Sequence, residues 1–125
     1  MTKPEATRYL EIARKHLERV QAAWDTPTDW DDLSLYGFYC LEAAVMAATA
    51  HLGVGVKHTH PAKADAAQQL HRDRGLPDVS ELLSKLNTAR KGVAYGDVAV
   101  PTLDPQDVAS DIEEYVDAVA NLING

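Results

Sequence analysis

The sequence predicts an all-α protein: an antiparallel four- to five-helix bundle around a buried central helix at about residues 30–52. Three observations carry that expectation. The stretch W-D-D-L-S-L-Y-G-F-Y-C-L-E-A-A-V-M-A-A-T-A-H-L is apolar nearly all round, and Glu42 is the one charged residue between Leu33 and Val56. Such a helix buries most of its faces, so other helices must surround it. The remaining periodic stretches carry a single apolar stripe each, spaced by three and four residues. Short polar connections with capping residues separate them. A length of 125 residues suits one domain, 1–125, able to bury a core without staples.

The first helix is expected from about Pro4 to Trp24, with Thr2 and Glu5 as a capping box and Pro4 in the first turn. Its core stripe is Ala6, Leu10, Ala13, Leu17, Val20 and Trp24. Arg8, Glu11, Lys15, Glu18 and Arg19 make a solvated face. The link Asp25 to Asp29 is short enough to make the first two helices antiparallel neighbours. Asp29, Asp31 and Asp32 load the start of the second helix, where the helix dipole favours acids. Within that helix, Trp30, Leu33, Gly37, Cys40, Ala44 and Ala47 form one stripe, and Phe38, Leu41, Val45, Ala48 and Leu52 another. Glu42 interrupts them. A carboxylate there turns to a solvated edge or finds a buried partner, for which arginines of a facing helix are the candidates.

Gly53 stops this helix. Lys57-His58-Thr59-His60-Pro61 then reads as an exposed basic loop. His58 and His60 could share a metal with His51 or His71, but no carboxylate or cysteine lies close in sequence, and neither a metal nor a cofactor is expected. A third helix follows from about Pro61 to Arg74, with the thin stripe Ala62, Ala66, Leu70 and Gly75 as its stop. A fourth starts at Asp78 and runs to about Ala94 on Leu82, Leu83, Leu86, Ala89 and Val93. Arg90 flanks that apolar face, while Lys85 and Lys91 point elsewhere. Asp104-Pro105-Gln106-Asp107 opens a fifth helix with the apolar stripe Val108, Ile112, Val116, Val119 and Ile123, Tyr115 and Leu122 beside it, and acids outward.

The single cysteine excludes an intramolecular disulfide, and Cys40 reads as a core residue. The opening M-T-K-P-E has no apolar leader, so a cytoplasmic protein is expected. The central stretch has the length of a membrane span. Glu42 would then sit near mid-bilayer at about 3 kcal/mol, and alanines drive insertion weakly, so no membrane is expected. The net charge of −7 repels nucleic acid unless a local basic groove exists.

Glycine-rich phosphate loops, C-x-x-C pairs and nucleophilic serine contexts are absent from the sequence. Chemistry must come from Asn87, Arg90, Lys91, Tyr95, Asp97 and Glu42. Asn87-x-x-Arg90-Lys91 gathers an amide and two cations within one turn, a set suited to an oxyanion or phosphate. In a regular helix Arg90 and Tyr95 stand about 140° apart. They share a site only if the helix frays at Gly92 or two chains face each other.

The long apolar second helix, a helix opening at H-P-A-K-A and a later one ending L-N-T-A-R-K-G-V-A-Y-G-D together resemble HEPN domains. That resemblance implies an all-α bundle, a symmetric homodimer, and RNA or nucleotides as ligands. It also implies a toxin–antitoxin or defence setting, with a protein partner such as a cognate antitoxin or nucleotidyltransferase. Many members are metal-independent ribonucleases with an R-x(4–6)-H motif. Arg90 matches the arginine, Lys91 stands at the polar position after it, and Tyr95 occupies the histidine position. Histidine exchanges protons near neutral pH, whereas a tyrosine with a pKa near 10 is a poor general base there. The resemblance therefore favours a non-catalytic RNA- or nucleotide-binding or partner module. The alternatives are an atypical ribonuclease using Arg90 and Tyr95, and a structural interaction bundle in which Arg90 pairs with Glu42.

Overall fold

The computed structural model describes residues 4–25, 27–94 and 103–125. Among them it is all-helical, with α1 (Pro4–Ala23), α2 (Trp30–Leu52), α3 (His60–Arg74), α4 (Ser80–Ala94) and α5 (Pro105–Asn124). The expected class of all-α bundle is what forms. Every other helix packs on α2, with α1 the most extensive neighbour; α1 also meets α5, and α3 meets α4.

Local chemistry sets the helix ends. The Asp29 side chain accepts from the Asp32 amide at 3.1 Å and caps α2. At its other end Gly53 takes φ 74°. The Gly53 amide donates to the Ala50 carbonyl and the Val54 amide to that of Thr49. This double closure needs a left-handed residue, which glycine adopts without strain. Thr59 caps α3 through the Ala62 amide at 3.2 Å, with His60 rather than Pro61 as first helical residue. The fourth helix begins two residues later than expected. Asp78 accepts from both the amide and the hydroxyl of Ser80, at 3.0 and 2.7 Å, and this side-chain turn delays the helix to Ser80. The proposed capping residue Thr2 lies outside the described residues.

Most of the core comes from the predicted stripes, although Leu17, Trp24, Trp30, Leu52, Leu82 and Leu122 are only partly buried and Leu76 and Val79 join it from outside them. Leu33, Cys40, Leu41, Ala44, Val45, Ala47 and Ala48 of α2 are completely enclosed. They meet Ala6, Ala13 and Val20 of α1, Leu83 and Leu86 of α4, and Ile112, Tyr115, Val116 and Val119 of α5. Gly37 permits the close approach of three helices: a Cβ there would stand 2.9 Å from Ile112 Cδ1 and 3.4 Å from Leu86 Cδ1. Among the described residues α2 is long and apolar enough to cross a membrane, and 78% of its most apolar window is buried within the bundle. Its burial is uneven. From Cys40 to Thr49 it is enclosed, whereas Leu35 and Tyr36 are half-buried and Tyr39 is exposed. That opening positions the site.

Candidate functional site

Glu42 is where the structure departs most from expectation. It is buried at 4% exposure, but its partners are not arginines. His60 Nδ1 lies 2.7 Å from Glu42 Oε2, and Lys63 Nζ lies 3.6 Å from Oε1. Both come from the first turn of α3. The physical reason is the closure after α2: Gly53 turns the chain back, and the Thr59 cap sets His60 over the middle of α2. The carboxylate orients the His60 ring by taking its Nδ1 proton as a hydrogen bond, which leaves Nε2 as the second ring nitrogen. The ring edge packs on Phe38 at 5.0 Å between centroids.

Among the described residues Arg90 forms no ion pair with Glu42. Its Nη2 donates to Asn87 Oδ1 at 2.6 Å, one turn back on α4. Its guanidinium carbon sits 5.1 Å from the Phe38 ring centre and 5.8 Å from that of Tyr39. Planar, delocalised arginine suits this stacking where lysine would not. Arg90 Nε is buried and finds no hydrogen-bond partner among the described residues. The residue as a whole is half-buried.

Phe38 links the two halves. His60 contacts it from α3 and Arg90 from α4. Beside it a groove of about 280 Å³ is lined by Phe38, Glu42, His60, Ser84, Asn87 and Lys91, among others. Three sequence candidates, Glu42, Asn87 and Lys91, thus line one groove, and Arg90 adjoins it through Asn87 and Phe38. Lys91, expected to point away from the apolar face, borders the groove from its flank one turn after Asn87. Lys63 and His60 are the partners of Glu42, whereas Lys91 lines the groove and Arg90 lies beside it. Lysine and arginine side chains can form charge-assisted hydrogen bonds with an oxyanion or a phosphate.

Tyr95 and Asp97 lie outside the described residues, as does the side chain of Val93. Of the four histidines weighed as metal ligands, His60 meets Glu42 and His71 Nδ1 donates to the Leu76 carbonyl at 2.8 Å, whereas His51 Nδ1 is buried with no hydrogen-bond partner among the described residues. Among the described residues, no group of three or more His, Cys, Asp or Glu side chains could hold a metal ion. Sequence reasoning missed His60 as part of this site. The available signal was the lone buried carboxylate, which needed a partner from whichever helix began nearest to it. A second cavity of about 220 Å³, lined by Thr49, Leu52, Val54, Leu70, Asp73 and Arg74 among others, lies away from these groups and is mainly apolar.

No family model matches the chain, and searches of curated proteins and of solved structures return no match either.

Proposed function

We propose that this protein is a HEPN-like helical module that binds RNA or a nucleotide through the groove around Arg90. The observation that carries the reading is the setting of Arg90: stacked on Phe38 and Tyr39, held by Asn87, and adjoining a groove that also contains Lys91 and His60. A guanidinium fixed in this way is pre-organised for a phosphate, and little of its side-chain freedom remains to be lost on binding. The local cations also answer the objection raised by a net charge of −7. The resemblance around L-N-T-A-R-K-G-V-A-Y-G-D adds a homodimer and a cognate antitoxin or nucleotidyltransferase as partner. Tyrosine at position 95 favours binding over catalysis.

Cleavage is the second reading, favoured by the Glu42–His60 pair on the same groove. Histidine oriented by a carboxylate is a competent proton acceptor near neutral pH. One experiment separates the two readings. Labelled RNA is incubated with wild type and Arg90→Ala at low and near-physiological salt, and both binding and cleavage are followed. The module reading predicts binding without cleavage, weakened about tenfold or more by the substitution. Cleavage lost in Arg90→Ala and in His60→Ala or Tyr95→Phe would establish the enzyme instead. RNA and nucleotide binding equal in wild type and variant would contradict both.

A further inference from the structure

A line of alternating cations and rings crosses three helices on the open side of α2. Arg19 of α1 stands 5.4 Å over the Tyr36 ring. His16 lies 5.7 Å from Tyr36 and 6.1 Å from Tyr39 between ring centres, and the guanidinium carbon of Arg90 of α4 lies 5.8 Å from the centre of the Tyr39 ring. Tyr39 is 36% exposed and Ile12, one turn before His16, is 37% exposed.

The charge along the line is biased. At 100° per residue, Arg8, Lys15 and Arg19 lie within about 60° of Ile12 around α1, while Glu11 and Glu18 lie about 100° or more away. Arg8, Lys15 and Arg19 are all exposed. Glu5, two turns before Ile12, and Asp32, one turn before Tyr36, are the acids at its ends. The face is therefore basic in a protein whose net charge is −7.

We infer that Tyr36, Tyr39 and His16, flanked by Arg19 and Arg90, form a stacking site for unpaired bases of single-stranded RNA. The inference rests on the nucleic-acid reading of the Arg90 groove, and it names the form of nucleic acid recognised. Aromatic faces accept any base through its π-surface, and interleaved cations follow the phosphates. A duplex hides its base faces and offers such a floor only its backbone. An acidic peptide would use the cations and leave the ring faces idle. Arg90 joins the two surfaces, since its guanidinium touches Tyr39 of the stripe and Phe38 of the groove.

The test is fluorescence anisotropy with a short unstructured RNA, the same RNA annealed to its complement, and an abasic oligonucleotide of equal length and charge. The abasic arm uses unaltered protein, so folding of variants is not an issue. The expected result is binding of the base-bearing strand about tenfold or more tighter than the abasic one or the duplex. Tyr36→Ala with Tyr39→Ala should lose a similar factor with its helical circular dichroism retained, and Tyr39→Phe should stay within about twofold. Equal binding of abasic and base-bearing strands overturns the stacking site. If Arg90→Ala still abolishes that binding, the groove reading stands without the stripe. No RNA binding by wild type at low salt overturns both. Poly-glutamate displacing the RNA as well as unlabelled RNA does would make the face an acidic-peptide site and also overturns the inference.

Discussion

Cys40 and Tyr115 show what enclosure does to single groups. The Cys40 thiol donates to the Ala13 carbonyl at 3.1 Å, and burial pushes its pKa from 9.0 up to about 12. Tyr115 has no exposed surface, its hydroxyl finds no partner among the described residues, and burial followed by the nearby charge of Asp78 raises its pKa. In both cases the fold favours the neutral form. Their contribution to stability is therefore complete below the unfolded-state pKa values of 9.0 and 10.0 and is lost as pH rises. Urea unfolding followed from pH 8 upward should show stability falling from about pH 9, continuing to about 12 for Cys40. Cys40→Ala should remove about one proton from that dependence between pH 9 and 12, and an unchanged slope would contradict the assignment. Arg90 is a different case, a half-buried guanidinium held by Asn87. Its bond to Asn87 was legible in the sequence as an i, i+3 pair. Its seat on Phe38 and Tyr39 was not, because two residues adjacent in α2 meet one guanidinium only when α4 crosses beside them.

Helix pairs carry the next level. The stripes of α1, α2 and α5 read directly from three-and-four spacing, since burial of an apolar face is what stabilises a helix in a bundle. Gly37 was legible as a member of such a stripe; that it marks the closest approach to α4 and α5 was not. Gly37→Val should destabilise the bundle by about 1–3 kcal/mol, because its added carbons meet Ile112 and Leu86. Gly37→Ala should stay within about 1 kcal/mol, as better helix propensity offsets displacement of the flexible Ile112 terminus. Chemical denaturation of both variants measures this. The α2–α3 contact was the least legible. Its ion pairs join Glu42 to residues 18 and more positions away, across a turn whose direction no periodicity encodes. Glu42→Ala should cost about 1–3 kcal/mol, since it leaves the mostly buried Lys63 without its carboxylate and removes the bond to the exposed His60 ring. Glu81→Ala, breaking the exposed i, i+4 pair with Lys85, should change stability by less than about 1 kcal/mol. Equal costs would contradict the buried role of Glu42.

At the scale of the molecule, the all-α class and the central place of α2 followed from one sequence fact: a helix apolar on nearly every side requires neighbours on nearly every side. The unevenness of that burial was not readable, because Tyr36 and Tyr39 look as apolar as the residues around them. Tyr36 is half-buried and Tyr39 exposed where His16 of α1 and Arg90 of α4 meet α2. The proposed ligand site is this face and the groove next to it, where side chains of α1, α3 and α4 converge on Phe38 and Tyr39 of α2. The measurement that tests this most directly is a nuclear magnetic resonance titration of the isotope-labelled protein with single-stranded RNA at low salt. The account predicts saturable shifts of the Arg90 side-chain Nε–H and of the amides of Phe38, Tyr39, Asn87 and Lys91, with α5 silent. Shifts confined to other surfaces, or none at saturating RNA, would contradict it.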